Sequence, residues 1–221
     1  MRTEAGDYLY SAALIGMVVA ATASALWVAE PWLRAALGSY AAIGMLLLFA
    51  FGYGGFTALL LAVVSSWLPL REGDYPTDDP QFRRWKVQHV VAELGKAALS
   101  LLFPVFARAS FYVVFGARVG RRVAIAGKII DPRLTVLEDD CVLGEGCILT
   151  SHAIVKNRFV LRAVRVGKGA TIGVGSILMP GVSIGAGAIV LPGSVLKAGT
   201  EVPSGETWGG VPAVRISPAG A

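Results

Sequence analysis

The chain is 221 residues long, 55% hydrophobic and only 16% charged, with 20 Lys+Arg against 15 Asp+Glu for a formal net charge of +5. Soluble domains carry about 25% charged residues, so these figures and a mean hydropathy of +0.64 exclude a uniformly soluble globule, and so apolar a chain is not intrinsically disordered. The 27 glycines follow no Gly-X-Y period, which excludes collagen.

From Tyr8 to Ala29 there is no Asp, Glu, Lys or Arg. At about 1.5 Å per helical residue this stretch covers a hydrocarbon core of roughly 30 Å, so a first transmembrane span is expected over residues 8–29. Tyr8, Tyr10 and Trp27 stand near its ends, where amphipathic rings favour the headgroup layer, and Glu30-Pro31 is expected to stop it. The run is longer than a signal-peptide core, and Met1-Arg2-Thr3-Glu4 makes a weak positive region, so a cleaved leader is the lesser reading. A second charge-free stretch, residues 35–70, gives a span at about 40–68 after a turn near Gly38-Ser39. Residues 1–70 are therefore expected to form a two-helix transmembrane hairpin, with Gly44, Gly52, Gly54 and Gly55 allowing close helix approach.

The connector between the spans carries only Arg34, whereas Arg71, Arg83, Arg84 and Lys86 follow the second span. Basic residues favour the cytoplasmic side, so the C-terminal part is expected in the cytoplasm and the hairpin in a bacterial-type inner membrane. With a pI near 9.4 and no nucleic-acid motif, the basic excess points to anionic membrane lipid and not to nucleic acid. Residues 71–116 read as an amphipathic, interfacial helical linker. Asp79 caps a helix whose first turn is Pro80 and whose apolar positions are Phe82, Trp85, Val90 and Leu94. The stretch from Ala97 to Phe115, broken by Pro104 and Arg108, leaves pieces suited to re-entering or lying in the interface, a third span being the alternative.

After Phe115 the period becomes six. Aliphatic residues recur at Val166, Ile172, Leu178, Ile184, Val190, Leu196 and Val202, and four places after each stands a small or aliphatic residue such as Ala170, Ser176 or Ala188. An earlier run follows the same rule through Val119, Ile125, Leu137, Leu143 and Leu149, with Asp131 interrupting at the skipped position. Each hexad makes a short strand and a turn, with glycines supplying positive φ. Roughly twelve hexads at three per coil give about four coils over residues 117–206. The phase breaks once: Leu149 and Val166 are 17 apart where 18 would keep register, so residues 155–165, a basic piece just after Thr150-Ser151-His152, are expected to be extruded as a loop.

This pattern resembles the hexapeptide-repeat acyltransferases, an all-β left-handed parallel β-helix family, over about the last hundred residues. The resemblance implies a homotrimer, acetyl-CoA or another acyl-CoA as donor, and an active-site wall made by a loop that leaves the prism beside a histidine. It nominates His152 as general base, with Glu145 or Asp140 to orient the imidazole. It places the coenzyme along the late coils at Gly173, Val174, Pro192, Lys197 and Arg215, the two cations as phosphate partners. The tail, residues 207–221, contains Gly209-Gly210-Val211-Pro212-Ala213-Val214-Arg215-Ile216, similar to the closing motif of the family except that Val211 stands where Asn is common. Phe115-Gly116-Ala117-Arg118-Val119-Gly120-Arg121-Arg122 and Leu149-Thr150-Ser151-His152 are also similar to the membrane-bound C-terminal β-helix domains of nonribosomal-peptide-synthetase-like proteins of the poly-lysine synthetase type.

Cys141 and Cys147 fall at inward small-residue positions and read as core thiols. Only two histidines, His89 and His152, argue against the three-histidine zinc site of the γ-class carbonic anhydrases, and no metal site is expected. The combined expectation is a membrane-anchored acyltransferase acting on a hydroxyl or amine of a lipid-linked or membrane-proximal acceptor. The alternative is a non-catalytic trimeric β-helix scaffold in a membrane complex.

Overall fold

The charge-free stretches are helical. In the computed structural model, which describes residues 5–100 and 102–217, α1 runs Ala5–Leu37, a 3-10 turn takes Gly38–Tyr40, and α2 runs Ala41–Trp67. Ala5–Trp67 is thus one helical stretch, long and apolar enough to cross a membrane, interrupted only by that turn. The first helix does not stop at Glu30-Pro31. Pro31 sits inside α1, with the Arg34 guanidinium 2.7 Å from Glu30 one turn back, and the break falls instead at Gly38, whose φ of +52° glycine adopts freely. The residues weighed as a leader, Met1 to Glu4, lie outside the described residues.

The chain divides into two compact units, the first made of the residues up to Leu70 together with Pro80–Phe103, the second of Arg71–Asp79 with everything from Pro104. In the first unit α1 and α2 contact each other, and α3 (Pro80–Ser100), starting where Asp79-Pro80 predicts, packs on both. Its buried stripe differs from expectation. Phe82 and Trp85 are buried, but Val90 and Leu94 are 45% and 43% exposed, and the stripe continues through Gln88, Val91, Gly95 and Leu99. Close backbone approach sets this face: a Cβ on Gly95 would meet Thr57 at 2.5 Å, and one on Gly54 would meet Leu99 at 2.1 Å. Several polar groups inside the unit have partners. The Asp7 carboxylate lies against Lys86 and, at 3.5 Å, Arg83, while Gln88 accepts from Ser65 Oγ and donates to the Leu68 carbonyl left open at the end of α2.

In the second unit β1 (Gly73–Pro76) is a strand, where a helical linker was expected. After a 3-10 turn at Val105–Ala107, α4 (Arg108–Val114) follows, and the coils begin. The first coil comprises β2 (Arg118–Val119), β3 (Ala124–Ile125) and β4 (Lys128–Ile129); the second β5 (Thr135–Leu137), β6 (Val142–Leu143) and β7 (Ile148–Leu149). A hairpin, β8 (His152–Val155) and β9 (Arg158–Leu161), then leaves the coil. The third coil is β10 (Val164–Val166), β11 (Thr171–Ile172) and β12 (Ile177–Leu178); the fourth is β13 (Ser183–Ile184), β14 (Ile189–Val190) and β15 (Val195–Leu196). A fifth begins with β16 (Glu201–Val202) and β17 (Thr207–Gly210), on which β18 (Ala213–Ser217) folds back antiparallel. The last four tail residues lie outside the described residues.

Equivalent sides of successive coils pair in parallel, forming sheets β2-β5-β10-β13-β16, β3-β6-β11-β14-β17 and β4-β7-β12-β15. The hexad-leading residues Ile125, Leu143, Ile172 and Val190 fill one inner column, and Leu137, Val166, Ile184 and Val202 another. In the third column the skipped position is corrected. Ile129, not Asp131, stands opposite Leu149, and a Cβ on Gly127 would meet Cys147 Sγ at 2.2 Å, so the shortened side fits only with glycine there. A 3-10 corner at Pro132–Leu134 then takes up the residues needed to bring Leu137 back into phase. The extruded piece is also tighter than residues 155–165: it is a hairpin that starts at His152, and the Arg162 amide closes its base by donating to the Ser151 carbonyl at 2.9 Å. β1 extends it to a three-stranded antiparallel sheet ordered β1-β9-β8.

Cys141 and Cys147 are both fully buried, and loss of solvation pushes each thiol up to about 11. A thiol that ionises near pH 8.5 when unfolded then favours the folded state fully below that pH and loses the contribution as pH rises toward 11, up to about 3 kcal/mol for each thiol. Maleimide labelling at pH 7.5 is expected to leave both unmodified in the folded protein and to modify both in guanidinium, with denaturation midpoints falling between roughly pH 9 and 11.

Candidate functional site

Where β7 ends, the chain turns the corner through Thr150 and Ser151 and leaves the prism at His152. One coil earlier, the equivalent corner is Asp131, the residue entering the 3-10 turn at Pro132–Leu134. Stacked corners lie about 4.8 Å apart, which brings the two side chains within reach. Asp131 Oδ2 lies 2.6 Å from His152 Nδ1 and accepts the Ser151 amide at 3.0 Å. The carboxylate is buried and the imidazole side chain is 19% exposed. Thr135 Oγ1 donates to the Asp131 carbonyl, Ser151 Oγ to the Leu134 carbonyl and Thr150 Oγ1 to the His152 carbonyl, each at 3.0 Å, so both sides of the pair are fixed from the backbone.

A buried carboxylate beside Nδ1 holds the proton on that nitrogen and puts the lone pair on Nε2, and it stabilises the imidazolium when Nε2 takes up a proton. Such a pair is chemically able to accept a proton at Nε2. Asp131 was visible in the sequence as the acid that interrupts the aliphatic columns. Reading it as a break in the repeat hid that a corner residue of one coil faces the corner of the next.

Glu145, expected to orient His152, does not meet it. It is exposed at the preceding corner, where its carbonyl accepts from the Gly175 amide at 2.9 Å. Asp140 occupies the third corner and is held by Arg122 through two hydrogen bonds of 2.6 and 2.8 Å, which draw its carboxyl below the usual range. Corners stack only with corners of the same kind, so a carboxylate elsewhere in the hexad is carried to another edge of the prism.

The expected coenzyme residues are distributed over different edges. Gly173, Val174 and Pro192 stack at the same edge as Glu145, with the Gly193 amide donating to the Val174 carbonyl at 2.8 Å. The Val174 side chain is exposed, whereas a Cβ on Gly173 would stand 2.4 Å from the Pro192 nitrogen, so glycine is required there by backbone approach between coils. Lys197 is exposed on the edge that carries His152, two coils along, beyond Pro180, whose carbonyl accepts the Gly199 amide at 2.9 Å. Arg215 lies on β18 opposite Trp208 and pairs with Glu206 at 3.2 Å.

Residues 163–198 match the family described as Bacterial transferase hexapeptide (six repeats). No curated protein matches the chain in sequence. Among solved structures the chain is similar to a hexapeptide-repeat containing acetyltransferase complexed with acetyl coenzyme A from Vibrio cholerae O1 biovar eltor, at 20% identity over 48% of this chain and 62% of that one, TM-score 0.44. It is similar to a galactoside acetyltransferase in complex with coenzyme A at 20% identity, covering 46% of this chain and 55% of that one, TM-score 0.41. It is similar to a maltose O-acetyltransferase from Clostridium difficile 630 at 16% identity, covering 69% of this chain and 95% of that one, TM-score 0.49. The chain thus spans 62% and 55% of the length of the first two.

The close approach at Gly173 has a measurable consequence. Gly173→Ala is expected to destabilise the β-helix by about 3 kcal/mol, because the obstructing atoms are backbone and cannot swing away, while Val174→Ala at the exposed neighbour stays within about 0.5 kcal/mol; chemical denaturation of the two variants compares them directly.

Proposed function

We propose that the chain is a membrane-anchored acyltransferase of the hexapeptide-repeat, left-handed β-helix type, moving an acetyl or other acyl group from a coenzyme A thioester to a hydroxyl or amine of a membrane-proximal acceptor. The observation that carries this reading is the buried Asp131 carboxylate on His152 Nδ1 at the mouth of the hairpin β8–β9. The hexapeptide match over residues 163–198 supports it, and the acetyltransferases named above give the donor class.

Nε2 of His152 takes the proton of the acceptor O–H or N–H as that atom forms a bond to the thioester carbonyl carbon. The tetrahedral intermediate collapses with cleavage of the C–S bond, and the imidazolium, stabilised by Asp131, returns the proton to the departing sulfur to give the free thiol. Lys197 on the His152 edge and Arg215 on β18 are the proposed phosphate partners of the donor, with Gly173, Val174 and Pro192 along its path.

Ala5–Trp67 is the proposed anchor, two spans of an inner membrane with the β-helix on the cytoplasmic side and three copies forming the working assembly. Support comes from the exposed indoles of Trp27, Trp32 and Trp67, the ring type that favours the headgroup layer. Anchoring raises the effective concentration of the catalyst toward an acceptor held in the same surface.

The test is acetyl-CoA titration into the detergent-solubilised protein, followed by thioester consumption with a panel of amine and lipid-sugar acceptors. His152→Ala is expected to lower turnover by about 10²–10⁴-fold and Asp131→Asn by about 10²-fold, both with acetyl-CoA binding retained. Absence of CoA-thioester binding overturns the enzyme reading in favour of a trimeric scaffold, whereas turnover that survives His152→Ala leaves a transferase and overturns His152 as its base.

A further inference from the structure

The entry leg of the hairpin is held by the Asp131 network, but the exit leg is held by residues from another part of the chain. β1, from the segment that joins α2 to α3 in sequence, pairs with β9 along its length, Gly73 opposite Leu161 through Pro76 opposite Arg158, and the Thr77 amide donates to the Asn157 carbonyl at 3.1 Å. Two carboxylates then grip the point where the hairpin rejoins the prism. Glu72 Oε2 accepts the Ala163 amide at 2.9 Å and Oε1 accepts Arg165 Nη2 at 3.2 Å, while Asp74 Oδ2 accepts Arg162 Nη2 at 2.8 Å. On the other side, β9 pairs with β8 so that His152 stands opposite Leu161, the residue that also faces Gly73. A single line of backbone pairing therefore runs from β1 through β9 to His152.

The prism does not need this strand. The three parallel sheets are complete without β1, which pairs with β9 and with no coil strand. Arg162 at the base of the hairpin and Arg165 in β10, where the chain rejoins the prism, are complementary to Asp74 and Glu72. We infer that Glu72 and Asp74 are positioning residues for His152, clamping the exit leg of β8–β9 so that the segment between α2 and α3 forms part of the catalytic wall. The inference rests on the acyltransferase reading for its purpose, but its geometry is testable without turnover.

The experiment uses the full chain in detergent with His89→Gln, which leaves His152 as the one histidine of the two in the sequence. Diethyl pyrocarbonate modification of His152 and amide exchange across residues 152–161 are followed in the parent, in the E72Q/D74N variant and in the charge swap D74R/R162D. The expected result is modification about tenfold faster and exchange about tenfold faster in E72Q/D74N, an unchanged thermal midpoint for the β-helix, and return to within about twofold of the parent in the swap. With an acceptor from the panel above, kcat falls about tenfold while the KM for acetyl-CoA is unchanged. Modification and exchange that stay within about twofold of the parent overturn the inference, as does a lowered thermal midpoint without any change at His152. Should the double variant fail to fold, Arg162→Gln alone decides, since that side chain is 47% exposed and removing it leaves the core intact. A parent protein that shows no transfer sinks the enzyme reading without touching the His152 reactivity, so the two failures are separable.

Discussion

Parallel pairing between coils obliges each side of the prism to return to the same register, because the amide of a residue in one coil donates to a carbonyl of the next, as Gly144 does to Ile172 at 2.8 Å and Gly173 to Val190 at 2.8 Å. Residues beyond what a side or a corner holds have nowhere to go but outward. Two departures from the six-residue rule exist between β2 and β16, and they face each other. The first coil shortens one side at Ile129 and lengthens the following corner through Asp131 and Pro132–Leu134; the second coil ejects β8–β9 from the same edge. The buried acid and the histidine meet because both belong to the corner where the repeat gives way.

That corner also explains how an acid is tolerated inside an apolar prism. An isolated carboxylate removed from water costs several kcal/mol, offset here by the Ser151 amide and the His152 ring on one oxygen. The same contacts that make Asp131 bearable in the fold set the tautomer of His152, so the stability of the corner and its proton chemistry have one origin. Asp140, by contrast, sits on a half-exposed corner beside Arg122, where water and a cation stabilise the charge.

The inner columns were legible in the sequence because a buried aliphatic at every sixth residue is a local pattern, and Leu143, Leu149, Ile172 and Leu196 stand where that pattern puts them. His152 was legible for the same reason, as the residue at the phase break. Its partner was not, since the contact of Asp131 with His152 is set by stacking of corners 21 residues apart, and sequence distance favoured Glu145. The helices divide likewise. The extents of α2 and the start of α3 follow from charge and capping, whereas the buried face of α3 depends on where glycines of either helix permit close approach to α2: Gly95 against Thr57 and Leu99 against Gly54 override the hydropathy of Val90 and Leu94. α1 passes Pro31, and the exposed Glu30–Arg34 pair across it, worth about 0.2–0.5 kcal/mol, does not offset the roughly 3 kcal/mol that an interior proline costs.

Residues 71–79 leave the first compact unit, join the second as β1, and return to the first at α3. Linking α2 to α3 does not demand such an excursion, since helix–helix connections commonly need only about 2–8 residues, and ordering this segment costs about 1–2 kcal/mol per residue. What offsets that cost is pairing with β9, the Glu72 and Asp74 contacts with Ala163, Arg162 and Arg165, and the turn in which Tyr75 Oη donates back to the Arg71 carbonyl at 3.0 Å. Exposed ion pairs alone contribute too little, about 0.2–1 kcal/mol each, so the strand holds chiefly through its backbone ladder to β9, whose Phe159 and Leu161 are fully buried. A ladder of this kind transmits position: its register fixes Leu161, and Leu161 faces His152. The stretch that charge and composition mark as a mere connector is, by its hydrogen bonds, the outer layer of the site.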